Sequence, residues 1–194
     1  IPTPLPELSF MKILIVGAGV VGFNLAEELS QEGHDISIID SDEKKIKMIA
    51  DKLDVLCIQG NACFPSVLIR AGIQDTEMLI AVTNKDEINI FVCMLGEKFE
   101  VEKRFTRLRE LEFSGDSQIF QPHELFIDQA INPGQIIIDF VVKILKTPGS
   151  VNVAEFADGE ILLRGFDVQE DAPLAGKKIE AIRAIAEFNS FLVV

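Results

Sequence analysis

The chain has 194 residues, of which 48% are hydrophobic and 25% charged. That composition describes a folded globular chain with a core of its own and excludes a disordered one. The formal net charge of −13 repels phosphate backbones and argues against general nucleic-acid binding. No apolar run approaches the ~20 residues needed to cross a bilayer, since the longest, 135–142, is interrupted by Asp139.

Residues 1–10 (IPTPLPELSF) hold three prolines and lack the basic flank and apolar centre of a secretory leader. They are expected to be an extension ahead of a natural start at Met11, or a cloning remnant. KILIV at 12–16 is a short continuous apolar run that stops at a glycine, as a strand buried on both faces does. Residues 20–32 then carry helical period, with Val21, Leu25 and Leu29 on one stripe and Gly33 at the expected C-terminal stop. DISIID at 35–40 reads as a second strand. Asp42 is placed to cap a second helix whose inner face is Ile46, Ile49 and Leu53.

VLCI at 55–58 is the third strand, followed by Gly60-Asn61-Ala62 and a short helix over 66–71. MLIAV at 78–82 is the fourth strand, and residues 87–98 form the next helix. Residues 103–109 and 117–120 are weaker strand signals. This alternation of strands and helices predicts an α/β fold: a Rossmann-type parallel sheet with helices on both faces and right-handed crossovers.

Pro133 opens a helix that runs to about Lys146. Its apolar stripe of Ile136, Ile137, Ile138, Phe140, Val141, Val142, Ile144 and Leu145 is wider than one sheet contact needs. Such a helix packs on two sides, against a second copy of itself or deep within one domain. Beyond Pro148-Gly149 the chain turns strand-rich: runs at 151–156 and 160–168 flank Asp158-Gly159, a strong hairpin signal. A further helix is expected at 178–186. The final FLVV at 191–194 reads as the start of an unpaired strand, so the chain is expected to be part of a longer one.

The strongest functional signal is Gly17-Ala18-Gly19-Val20-Val21-Gly22, between a strand and a helix. In that pattern the first glycine makes the tight turn and the second lets backbone approach a diphosphate. The third lets helix meet strand, and the helix N-terminus faces the anion. Asp40, followed by Ser41, ends the second strand about 20 residues on, where a carboxylate bonds ribose hydroxyls and repels a 2′-phosphate. This favours NAD over NADP.

Asn61 and Ala62 follow the third strand, while Thr83, Asn84 and Asp86 follow the fourth. All lie where open α/β sheets take ligands, and the last three equally suit helix capping. Arg107 and Arg109, two apart on a strand, would face one side and clamp phosphates, or else pair with the chain's many carboxylates. No catalytic constellation and no metal-spaced cluster is present. Cys57, Cys63 and Cys93 read as packing residues of a reducing compartment, and the lysines of 43–47 as a solvated helix face.

MKILIVGAGVVGFNLAEEL, DISIIDSDEKKI, VLCIQGNACFPSVLIRAGI and MLIAVTNKDEIN together resemble the KTN domain family, also called the RCK N-terminal domain. The likeness is to the branch of cytosolic regulatory subunits of Trk potassium uptake systems. It spans residues 11–147, and VNVAEFADGEILL…PLAGKKI is similar to that family's small C-terminal domain, RCK_C.

The resemblance implies a nucleotide sensor and not an enzyme. It divides the chain into 1–10, a Rossmann domain at 11–132, a crossover and dimerisation helix at 133–147, and a partial C-terminal domain at 148–194. The implied ligand is NAD or NADH, with ATP or ADP as the alternative. The implied partners are a TrkH-like membrane potassium channel subunit and further copies of the chain, as dimers assembling into a ring, with no nucleic acid. The implied location is the cytoplasm, peripheral at the inner face of the cell membrane.

Carried over by position, Gly17, Gly19, Gly22 and Asp40 bind the nucleotide. Asn61, Thr83, Asn84 and Asp86 line the pocket, and Arg107 and Arg109 sit near the phosphates. The segment at 110–113 departs from the family, with no proline turn and Phe113 where Tyr is usual. The family's regulatory subunits carry two such halves, of which this would be the first. The rival reading from the residues alone is an NAD-dependent dehydrogenase.

Overall fold

The computed structural model describes residues 10–110, 122–146, 152–156, 161–165, 167–172 and 175–178. The chain divides into two compact units, Ile1–Ile136 and Ile137–Val194.

The first unit is built on a six-stranded sheet, all of whose neighbours run parallel. Its strands are β1 (Lys12–Val16), β2 (Asp35–Asp40), β3 (Leu56–Gln59), β4 (Met78–Ala81), β5 (Lys103–Arg107) and β6 (Gln129–Ile131), arranged in the order β3-β2-β1-β4-β5-β6. The chain therefore steps outward from β1 through β2 to β3, then returns to the other side of β1 to lay down β4. That reversal between β1 and β4 opens a crevice at the carboxyl edge of the sheet.

Right-handed crossovers send the two halves' helices to opposite faces. α1 (Val20–Gln31) and α2 (Glu43–Ala50) cover one face, where Ile13, Ile15, Ile36 and Ile38 pack with Ala26, Ile46 and Ile49. α3 (Pro65–Arg70) and α4 (Asp86–Lys98) cover the other, where Leu14, Val16 and Leu79 pack with Val67, Leu68, Ile90 and Cys93. The apolar run of β1 feeds both cores because successive side chains point to opposite faces. α1 stops in a Schellman turn: Gly33, at φ +90, donates its N–H to Ser30 O, and His34 N–H reaches Leu29 O at 3.1 Å. α2 starts at Asp42, whose carboxylate accepts from Lys44 N–H at 2.9 Å.

Two stretches differ from the sequence expectation. The sixth strand is Gln129–Ile131, which no hydrophobic pattern marks. In α1 the residues that meet the sheet are Gly22 and Ala26, with Leu25 and Leu29 packed at the edge of the core, whereas Val21 is exposed. A helix that leaves a glycine turn must come close to β1, so small residues face the sheet.

α5 (Pro133–Lys146) follows β6, and all eight residues of its expected apolar stripe are exposed. In the second unit, β7 (Asn152–Phe156) and β8 (Ile161–Gly165) pair antiparallel. The expected features at 111–121, 157–160, 179–186 and 191–194 lie outside the described residues. No described helix is long and apolar enough to cross a membrane.

Candidate functional site

The crevice is a cavity of about 690 Å³ walled by the carboxyl ends of β1, β2 and β5 and by the segments that follow β1, β2, β3 and β4. Of the expected residues, Gly17, Gly19, Val20, Val21, Asp40, Ser41, Asn61, Ala62, Thr83, Asn84 and Arg107 line it.

The three glycines of the loop do different work. Gly17 takes φ +113, and a Cβ there would lie 2.9 Å from Thr83 N, so the turn requires glycine. At Gly22 a Cβ would fall 1.8 Å from the Gly17 carbonyl oxygen, which makes it the helix–strand contact. A Cβ on Gly19 would meet nothing within 4 Å. Its backbone is extended, at φ −77 and ψ −172. The protein itself places no steric demand on Gly19, which lines the cavity.

Gly19 is also the N-cap of α1, and neither a side-chain cap nor a first-turn acid neutralises this end. The N–H groups of the first turn and the helix dipole therefore face the cavity as an anion-binding end.

Asp40 is held in place by the loop it serves. Its Oδ2 accepts from Ala18 N–H at 2.7 Å and its Oδ1 from Asp42 N–H at 2.8 Å. Lys45 Nζ stands 3.5 Å from Oδ2, and the side chain of Asp40 is 12% exposed. Each carboxylate oxygen can accept more than one hydrogen bond, so acceptor capacity remains for a diol. Ala18 thus contributes its N–H to orienting Asp40 and does not line the cavity.

Across the cavity the β4–α4 loop is tied down by Asn89, a wholly buried residue of α4. Its Oδ1 accepts from Thr83 N–H at 3.0 Å and from Thr83 Oγ1–H at 2.6 Å, and its Nδ2 donates to Arg107 O at 2.8 Å. One amide therefore fixes the ends of both β4 and β5. Arg107, the last residue of β5, lines the cavity, and its buried Nε has no hydrogen-bond partner among the described residues. A buried unpaired donor calls for an acceptor, and a phosphate oxygen is a fitting one.

The arginine pair does not share a side. β5 ends at Arg107, so the two-residue period stops there, and Arg109 turns to the α4 start. Its guanidinium donates to Asn84 O, and its Nε lies 3.8 Å from Asp86 Oδ1. Asp86 is 4% exposed and accepts the N–H groups of Arg109 at 2.7 Å and Glu110 at 2.8 Å. Both act on backbone and not on the cavity. Sequence reasoning missed Asn89, and it missed Lys45 and Lys85, which also line the cavity. The two lysines had one signal available, their places just after β2 and β4. A buried asparagine on a helix gives none.

Charge is divided across the cavity. Asp40 and Asp42 stand on the β2 side with Lys45, and Lys85 and Arg107 stand on the β4–β5 side. The arrangement fits a ligand with hydroxyls at one end and anionic oxygens toward the α1 N-terminus and Arg107. Among the described residues no group of His, Cys, Asp and Glu is placed to hold a metal.

Residues 13–133 match the TrkA-N domain family model. The chain is 34% identical over 174 residues to the Trk system potassium uptake protein TrkA of Halomonas elongata, which covers 89% of this chain but only 38% of that relative. The TrkA-N domain of the inner membrane protein ybaL from Escherichia coli superimposes with a TM-score of 0.60 at 20% identity, over 71% of this chain and 98% of that one. The GsuK channel bound to NAD superimposes with a TM-score of 0.57 at 21% identity, over 74% of this chain and 24% of that one. A GsuK structure bound to ADP gives 0.56, over 70% of this chain and 34% of that one. At these identities the structures show a shared fold.

Proposed function

The chain belongs to the TrkA-N domain family, and on that premise we propose that it is a nucleotide-sensing regulatory module of a potassium transport system. The observation that carries the reading is the Gly19 opening. It is a stretch of cavity wall that the fold does not need to be glycine, set against the uncapped end of α1 with Asp40 fixed beside it. An adenosine diphosphate core fits this arrangement, with the ribose diol on Asp40 and the diphosphate at the N–H groups of Val20 and Val21. Arg107 and Lys85 receive the charge beyond.

NAD or NADH is the proposed ligand, with ADP or ATP as the alternative. A 2′-phosphate would meet both Asp40 and Asp42, which disfavours NADP. The dehydrogenase reading has nothing in the cavity to favour it. The chain has no Tyr, and neither His34 nor His123 lines the site.

The proposed partners are a TrkH-like membrane potassium channel subunit and further copies of this chain. Residues 11–132 act as the nucleotide-binding domain, and 148–194 as part of a C-terminal RCK_C domain. The exposed apolar stripe of α5, a helix of 14 residues, supplies the dimer contact from which a ring is built. The module works in the cytoplasm at the inner face of the membrane. Ligand exchange biases the partner only by the ligand's differential affinity for the module's two shapes.

Calorimetric titration with NADH, NAD⁺, ADP and ATP tests the reading. Micromolar binding by at least one, abolished in Gly19→Asp, is expected. Binding by none of the four would leave the cavity without its assigned ligand.

A further inference from the structure

Arg109 and Asn132 stand outside the cavity, yet together they bridge its wall to the beginning of α5. Asn84 lines the cavity, and its carbonyl accepts from the Arg109 guanidinium. The carbonyl of Arg109 in turn accepts from Asn132 Nδ2 at 3.2 Å. The other end of the same side-chain amide, Asn132 Oδ1, accepts the N–H groups of Gly134 at 3.0 Å and Gln135 at 3.2 Å, which makes it the N-cap of α5.

We propose that the Asn84–Arg109–Asn132 chain couples occupancy of the nucleotide cavity to the first turn of α5. This rests on the reading of the cavity as a nucleotide site. Two physical features make the chain a transmitter. The Asn132 amide is planar, so its donor and acceptor ends turn together, and a shift of the Arg109 carbonyl reorients the cap oxygen. The Arg109 guanidinium also has two acceptors in reach. It holds Asn84 O, while Asp86 Oδ1 stands 3.8 Å from its Nε with no hydrogen bond among the described residues.

A ligand that draws the Thr83–Lys85 loop inward takes Asn84 O from the guanidinium, which then closes on Asp86. The backbone of Arg109 also hangs from Asp86, through its own N–H at 2.7 Å, so the change reaches Asn132. This is a two-position element biased from both ends, the physical requirement for coupling. Linkage makes it reciprocal: whatever α5 packs against feeds back on nucleotide affinity.

Asn132→Asp isolates the link. It keeps an oxygen to cap Gly134 and Gln135 but replaces the Nδ2 donor with an acceptor that repels the Arg109 carbonyl. Hydrogen exchange of the Gly134, Gln135 and Ile136 amides is measured on the full chain, free and saturated with NAD or ADP, beside calorimetry. In the parent, ligand is expected to change exchange at these amides. In Asn132→Asp that change is expected to vanish while affinity moves by no more than a coupling factor, roughly 5- to 150-fold.

An unaltered ligand effect on these amides in Asn132→Asp overturns the proposal, as does a parent that binds nucleotide without any change there. A parent that binds no nucleotide overturns the link and the cavity reading together, and calorimetry alone reports it. Should Asn132→Asp lose α5 by circular dichroism, Arg109→Gln cuts the chain at its other link, the guanidinium bond to Asn84 O, and gives the same readout.

Discussion

Replacing Gly19 by alanine separates what the fold needs from what the ligand needs. A methyl at this position meets nothing within 4 Å, and φ −77 with ψ −172 is open to any residue. Alanine is a poorer N-cap than glycine by roughly 0.5–1 kcal/mol. The loss of unfolded-state freedom returns about 0.4–1 kcal/mol. The two offset each other, so stability is expected to hold within about 1 kcal/mol, a melting shift of about 2–4 °C at most for a chain of this size.

Binding should behave differently. The methyl occupies the path by which a diphosphate reaches the Val20 and Val21 N–H groups. Losing one or two such charge-assisted hydrogen bonds costs about 1.5–3 kcal/mol, or roughly 10- to 150-fold in affinity. Calorimetry with NAD and ADP, paired with urea denaturation, measures both quantities. Unchanged affinity at unchanged stability would refute the placement of the diphosphate. Gly22→Ala serves as the contrast: its Cβ would overlap the Gly17 carbonyl at 1.8 Å, so it is expected to lose stability first, by about 1–3 kcal/mol or more.

Asn89→Leu leaves Thr83 N–H and the Arg107 carbonyl without their partner in a buried site, and urea midpoints should show a loss on the order of 3 kcal/mol. Burial pushes the Asp128 carboxyl up, but hydrogen bonds from the Arg104 side chain and backbone N–H, together with its charge, outweigh this and hold the group below its ordinary value. Its contribution to stability is therefore full above the unfolded value of about 3.9 and is lost as pH falls through the lower folded value. Asp128→Asn should flatten the decline of urea midpoints in that acid window, and an unchanged decline would contradict the assignment. Burial pushes the Cys93 thiol up to about 12, whereas Cys57 and Cys63 are part-exposed with thiols raised less. A thiol reagent at neutral pH should modify Cys57 and Cys63 in the native chain and reach Cys93 only on unfolding. Phe140→Glu places a charge in the apolar stripe of α5, and sedimentation should show the loss of a dimer that the parent forms.

Much of the sheet was legible because its strands are bounded runs of aliphatic residues. β1 and β2 begin and end where their apolar patterns do, since both are buried between helices and stop at a glycine or a carboxylate. β6 was not legible: Gln129-Ala130-Ile131 is a three-residue edge strand paired with β5, too short for its one core-packed residue, Ala130, to show a pattern. The glycine loop and Asp40 were readable as a local pattern of about 20 residues. The roles of Arg109 and Asp86 were not, because they depend on where β5 stops. Asn89 and Asn132 each hold nearby backbone through Oδ1 and a carbonyl far along the chain through Nδ2, that of Arg107 for Asn89 and that of Arg109 for Asn132, and no periodicity records such bonds. Lysines at 44, 45 and 47 look alike in sequence, but only Lys45 turns to the cavity and Asp40.

The most direct test is a backbone amide NMR titration of the ¹⁵N-labelled chain with ADP. The resonances of Val20, Val21 and Gly22, the uncapped N–H groups of α1, should move together with Ala18 and Asp42, whose N–H groups hold Asp40. Shifts confined to other parts of the chain, or none at millimolar ADP, would contradict a nucleotide site at the glycine loop.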